Sequence, residues 1–243
     1  MSDYPHLVNA PIIEALIDIQ VQIPTSKTID ILQAIHEKVK LNFPNTKKRF
    51  RFSGSLEIEP EKTKAGIYKN KIDGFMFLSE NENKIFQSRL DGFTFNKQKP
   101  YENWEALRDE AKNLWKIYKE VAEPIAIKRI ALRYINKIPL KLPFEPSTYF
   151  KTLPFLSQEL KYDTHNLFSQ ITIFNNKINA SANITEAIEK GEQDVVQFIF
   201  DIDVFRLGEF TEDQIWEYFE QLRDFKNEIF FKSMTETTLK LLS

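Results

Sequence analysis

The sequence predicts an α+β fold, an antiparallel sheet packed on one side by two long helices, and three observations predict it. The stretch Ile13 to Ile23 alternates apolar and polar residues with period two, as a half-buried strand does. Two long stretches, one from Trp104 and one from about Thr211, carry apolar residues at three- and four-residue spacing. The order strand, helix, several strands, long helix then occurs twice, so the chain reads as a duplicated unit with a pseudo-twofold relation between its halves.

In the first strand Ile13, Ala15, Ile17, Ile19, Val21 and Ile23 hold one parity; Glu14, Asp18, Gln20 and Gln22 hold the other, and Pro24 ends the run. Thr25 or Thr28 can cap the next segment, where Ile31, Leu32, Ile35 and Val39 fall on one helical face before Pro44. "RFRFSGSLEIE" alternates Phe50, Phe52, Leu56 and Ile58 with a bulge or bend at Gly54. "KIDGFMFLS" and "KIFQSRL" are strands joined by the polar "ENEN" turn, and "LDGFTF" carries an Asp-Gly turn signal. The first long helix presents Trp104, Leu107, Ala111, Leu114, Trp115, Tyr118 and Val121 on one face. In the second half Lys128 to Ile138 is a strand, "EPSTYFKTL" a short helix, and "LFSQITIF", "KINASANI" and "DVVQFIFDIDVF" are strands. The final helix opens on "TEDQ", a capping-box pattern, and carries Ile215, Phe219, Leu222, Phe225, Ile229 and Phe230. No linker-like tract separates the halves, so one globular unit built of about 1–123 and 124–243 is expected.

The first strands of the two halves superpose on an offset of 115, which places Ile23-Pro24 on Ile138-Pro139 and Ile17 on Leu132. The charges invert: Glu14 falls on Arg129 and Asp18 on Arg133. If these strands pair antiparallel at the centre, one register opposes Glu14 to Arg133 and Asp18 to Arg129, with Leu16 facing Ala131. Such pairs contribute about 0.2–1 kcal/mol each and discriminate register more than they stabilise. The functional rival is that Glu14, Asp18, Arg129 and Arg133 line a ligand-facing sheet surface.

At 243 residues with 42% hydrophobic and 28% charged content, the composition is that of a globular protein able to bury a sizeable core. Thirty-three Lys+Arg against 35 Asp+Glu leave no global field for nucleic acid or an anionic membrane. The absence of cysteine removes disulfides, thiolate metal sites and a cysteine nucleophile. The start carries no secretory pattern and no apolar run reaches membrane-spanning length, so a cytoplasmic location without membrane association is expected.

Asp201 and Asp203 share one strand face, the spacing at which two carboxylates hold a divalent metal or share a proton; salt bridging is the plainer reading. Otherwise no cofactor is expected. His6, His36 and His165 show no paired ligand spacing, and His36 reads as a surface residue of a helix. Gly-x-Ser-x-Gly and phosphate-loop motifs are absent from a chain with six glycines. Lys47, Lys48, Arg49 and Arg51 interleave with Phe50 and Phe52, a pattern that can follow phosphates and stack on bases. Alternation instead assigns both Phe residues to the core and leaves a basic edge strand, a defence against sheet aggregation. Candidate homodimer surfaces are the exposed sheet edges and the apolar helix end "NEIFFKSM", where Ile229, Phe230 and Phe231 cannot all face one side. The closing "TLKLL" segment is the intramolecular alternative for covering them.

"NAPIIEALIDI", "LDGFTFNKQKPYENWEALRDEAKNLWKIY", "IALRYINKIPL" and "FKNEIFFKSMTE" together resemble a sporadically distributed family of uncharacterised bacterial and archaeal proteins, in order and spacing that cover nearly the whole chain. The resemblance brings no activity, catalytic residue or cofactor to named positions. The patchy distribution implies mobile genes, such as defence or toxin-antitoxin functions. The expected function is a non-catalytic binding or regulatory protein that holds a protein partner or small ligand on a sheet face or in the groove between sheet and helices. The alternative is a metal-dependent enzyme acting on a nucleotide or nucleic acid through Asp201 and Asp203, and a third reading is nucleic-acid binding through Lys47 to Arg51.

Overall fold

Burial of one parity of the first strand organises the whole molecule. In the computed structural model, which describes residues 4–5, 7–53, 56–59, 62–65, 69–152, 166–192 and 194–243, β1 (Ile12–Gln22) buries Ala15, Ile17 and Ile19 completely. Its antiparallel neighbours are β7 (Gly92–Gln98) and β8 (Ala126–Lys141). The sheet grows outward from this centre to nine strands. On one side β7 pairs with β6 (Lys84–Arg89), β6 with β5 (Lys69–Leu78), and β5 with β2 (Asn45–Ser53). On the other, β8 pairs with β11 (Val195–Phe210), β11 with β10 (Ala180–Lys190), and β10 with β9 (Phe168–Asn175). Every pairing is antiparallel. A separate hairpin joins β3 (Leu56–Glu59) to β4 (Lys62–Ala65).

Turn chemistry sets the hairpins. Arg89 is the register partner of Gly92, so Leu90 and Asp91 form the two-residue loop, one residue earlier than the Asp-Gly signal suggests, and Gly92 already belongs to β7. Gly92 has φ +157 and a Cβ there would sit 2.4 Å from the Ile19 carbonyl oxygen, which only glycine avoids. The "ENEN" turn closes between Ser79 and Lys84, with Glu82 in the left-handed region.

The expected helix before Pro44 breaks at Ala34 into α1 (Ile29–Gln33) and α2 (Ile35–Val39), which bury Leu32, Ile35 and Val39. The long α3 (Trp104–Ala122) starts where the Asn103 side chain accepts from the Ala106 N–H at 2.8 Å, and ends where Glu123 turns left-handed. After the short α4 (Pro146–Tyr149), α5 (Glu212–Ser233) opens with Gln214 reaching back to accept from the Thr211 N–H at 3.1 Å, one half of the predicted capping box. The last helix is α6 (Glu236–Leu242).

Aromatic contacts join helices to strands of the sheet. Trp115 of α3 packs on Phe93 of β7, Phe230 of α5 on Phe200 of β11, and His36 of α2 on Phe77 of β5. His36 is therefore half-buried, donates from Nε2 to the Phe43 carbonyl at 3.0 Å, and is not the surface residue expected from the sequence. Trp104 Nε1 and Arg108 Nη1 of α3 donate to Glu220 of α5 at 2.9 and 2.8 Å, and Lys119 pairs with Glu212, so the two helices run antiparallel side by side. One hydrophobic cluster, rich in Phe, joins residues from both halves of the chain. Among the described residues no helix is long and apolar enough to cross a membrane.

Two expectations change at the strand edges. β2 is an edge strand, as the basic cluster suggested, but Phe50 is 46% exposed instead of buried, and Thr46 and Lys48 on the same parity of this edge are exposed as well. The side chains of Arg51 and Phe52, together with Gly54, His6 and His165, lie outside the described residues. At the helix end, Ile229 and Phe230 are buried and Phe231 is half-buried, stacked on Tyr4 at 4.6 Å, so the N-terminal segment supplies part of the cover.

Candidate functional site

The polar parity of the central strands assembles a charged ladder on the face opposite the helices. Antiparallel pairing of β1 with β8 at the centre agrees with the sequence, but the register differs by two residues: Ile17 faces Leu132, Asp18 faces Ala131, and Leu16 faces Arg133. Faces are preserved, so Glu14, Asp18, Arg129 and Arg133 still share one surface. Partners are not preserved. Arg129 remains with Asp18 at 3.2 Å and reaches Asp203 of β11 at 3.2 Å. Arg133 instead grips Asp201 of β11 with both carboxylate oxygens, at 2.8 and 2.5 Å, while Glu14 accepts from Asn96 at 2.6 Å. The Glu14–Arg133 pair drawn from the first strands alone does not form, because β11 brings two aspartates to the other side of Arg133.

Asp18 is also held by Arg89 of β6 at 2.8 Å and by Thr94 of β7 at 2.7 Å. Arg89 is 8% exposed; burial works against its charge, and the Asp18 and Asp91 carboxylates outweigh burial and raise its pKa. Burial raises the Asp203 pKa, opposed by Arg129 and Arg133. The chain Arg89, Asp18, Arg129, Asp203 thus laces β6, β1, β8 and β11 with alternating charge, each member satisfying its neighbours. Asp201 and Asp203 are both engaged by arginines, and among the described residues no three His, Cys, Asp or Glu side chains gather as metal ligands. In the basic cluster Lys47 pairs with Glu82 and Arg49 with Asp73, while Lys48 is exposed on the strand edge.

A second site lies on the helix side, in a cleft of about 740 Å³ between the N-terminal segment, the loop before α3, β8 and α5. β8 supplies Tyr134, which follows the core parity of its strand and is 1% exposed. The loop supplies Tyr101, whose hydroxyl meets that of Tyr134 at 2.9 Å, with the two rings edge to face. Burial pushes the Tyr101 pKa up to about 12 and that of Tyr134 well above its ordinary value, so both phenols keep their protons. One hydroxyl of the pair donates to the other, which leaves a donor facing away from the pair.

α5 supplies Arg223 and Lys226 to the cleft. Lys226 Nζ lies 4.0 Å above the Tyr134 ring, and among the described residues no carboxylate pairs with it. Burial, reinforced by the Arg223 charge, pushes its pKa down to about 7. Among the described residues, the ion pair of Arg223 is a long contact of 3.8 Å to Glu220. Of the other charges at the rim, Lys99 and Glu105 are exposed, Glu102 pairs with Lys97 and Lys137 with Glu189. The cleft therefore combines two cations short of anions, a phenol pair, and apolar walls from Ile12, Trp104 and Phe230. It can take a small anion with an apolar body: Lys226 and Arg223 on the charge, the phenols on a neutral acceptor.

Sequence reasoning missed this group. Lys226 lies four residues after Leu222 and three before Ile229, a charge set in the buried stripe of α5, and that is the signal that could have found it. Comparison of the chain with protein-family models and with curated proteins found no match.

Proposed function

We propose that this protein is a non-catalytic binding protein whose cleft between β8 and α5 holds a small anionic ligand, a carboxylate or phosphate ester with an apolar body. The observation that carries the reading is Lys226, a half-buried amine that has an aromatic ring beneath it, Arg223 beside it and, among the described residues, no carboxylate to neutralise it. A buried cation without an acid costs stability, and a bound anion removes that cost. Metal-dependent chemistry at Asp201 and Asp203 would first have to displace Arg133 and Arg129 from those carboxylates.

Binding should be linked to proton uptake. An anion beside Lys226 favours the ammonium form and raises its pKa, so at pH 8 the complex takes up protons and affinity weakens as pH rises above about 7. Native mass spectrometry of protein from its source, followed by calorimetry of mono- and dicarboxylates and phosphate monoesters in buffers of different ionisation enthalpy, tests this. A stabilising anion with net proton uptake, weakened tenfold or more by Lys226→Met, is expected. Absence of any bound anion in the native protein and across the panel, or binding indifferent to both Lys226→Met and Arg223→Met, rejects it.

We also infer that the fold is a duplication in which two long helices pack one sheet about a pseudo-twofold axis. The support is the strand order, which runs outward from β1 and β8 in corresponding fashion, and the register, which opposes Ile17 to Leu132, the pair related by the offset of 115. An experimental structure tests it: β1, β7 and α3 should superpose on β8, β11 and α5 about an axis through that pair, and failure to superpose rejects it.

A further inference from the structure

The two edges of the nine-stranded sheet are built differently. β2 carries Lys47, Lys48, Arg49 and Arg51, the charges with which natural sheets keep an edge from pairing. At the other edge β9 reads FSQITIFN, with no charge and no proline, and pairs with β10 over eight residues without a bulge. Its apolar side chains are open on both faces: Phe168 is 73% exposed, Ile171 49%, Ile173 37% and Phe174 56%. Among the described residues no strand pairs with its outer side, and an uncharged strand with an open row of backbone donors and acceptors is a template for another strand.

We propose that β9 pairs antiparallel with β9 of a second copy of this chain, joining two nine-stranded sheets into one across a twofold axis. The occupant follows from the edges themselves. Head-to-tail pairing of β9 with β2 would set the uncharged strand against the basic one and would leave an open series, whereas like-with-like pairing closes at two copies. A twofold axis normal to the sheet also keeps the helix layers on the same side, so residues of equal parity face each other. The register centred on Ile171 then opposes Phe168 of each copy to Phe174 of the other, giving two aromatic cross-strand pairs around an Ile171 pair on the axis.

Analytical ultracentrifugation of the full chain reads the outcome. The expected mass is about twice the 28.7 kDa chain at micromolar concentration. Ile171→Lys and Ile171→Glu should each give monomers with unchanged circular dichroism, since the position is exposed, and a mixture of the two should recover the dimer. The cysteine-free chain supplies a second reading, because Ile171→Cys should cross-link to a covalent dimer on mild oxidation. A wild-type monomer at about 100 μM overturns the proposal, whether or not a strand from another protein fills the edge. So does a dimer that persists in Ile171→Lys, or a Lys/Glu mixture that stays monomeric.

Discussion

Replacing Lys226 by Met should stabilise the protein near neutral pH, by an amount that fades in alkali. The displacement of the Lys226 pKa from 10.5 to about 7, at about 1.4 kcal/mol for each tenfold change in proton affinity, comes to about 5 kcal/mol at pH 7. The Tyr134 ring returns up to about 2 kcal/mol through its cation–π contact, which leaves about 3. The sign follows from linkage. Between pH 7 and 10.5 the unfolded chain holds a proton that the folded protein has released, so wild-type stability rises with pH across that window while the Met variant lacks this contribution. The difference is constant below about pH 7 and closes towards pH 10.5. Urea unfolding of both proteins at pH 6.5 and pH 9.5 measures it, with all other titrations cancelling in the comparison. A stability gap equal at the two pH values, or a Met variant less stable than wild type at pH 6.5, would refute the assignment of Lys226 as an uncompensated, partly desolvated cation.

Removing Asp18 with Ala leaves Arg89 buried without its main anion and should cost about 3–5 kcal/mol; adding Arg89→Met should restore most of it, and urea midpoints read both. A double-mutant cycle on Arg133 and Asp201 should give a coupling of about 1 kcal/mol, while the Glu14 and Arg133 cycle stays below about 0.5 kcal/mol; the reverse ranking would reinstate the register drawn from the first strands alone. Glu186 accepts from Thr152 at 2.6 Å at a buried position, and burial raises its pKa. The folded protein therefore binds that proton more tightly than the unfolded chain, and stability falls as pH rises from 4.5 through the folded value. Glu186→Gln should raise the melting temperature at pH 7 by about 2–4 °C per kcal/mol recovered and change nothing at pH 4, as scanning calorimetry would show.

Much of this architecture is local and therefore legible in the sequence. The parity of Ile13 to Ile23 names the buried face of β1 without reference to any neighbour, because adjacent strand side chains point to opposite faces. Gln214 marks the start of α5 because unpaired N–H groups at a helix start need an acceptor from nearby in the chain. The basic residues of β2 identified an edge. The same strand misled at Phe50, whose ring stays exposed at the sheet edge although its parity is the apolar one.

Tertiary structure decided whatever depends on segments far apart in the chain. A shift of two residues between β1 and β8 leaves every side chain on its own face, so the apolar pattern cannot choose between the two registers, and the partners of Arg133 were settled only when β11 placed Asp201 and Asp203 beside it. The cleft is more dependent still. Tyr101, Tyr134 and Lys226 belong to a loop, a strand and a helix, and each alone is an ordinary residue. Their meeting removes water from an ammonium group that has no carboxylate partner among the described residues, and that desolvation gives the cleft its character. The sequence determined which faces are buried and where helices begin. Only the packed fold determined which charges find partners and which is left to wait for one.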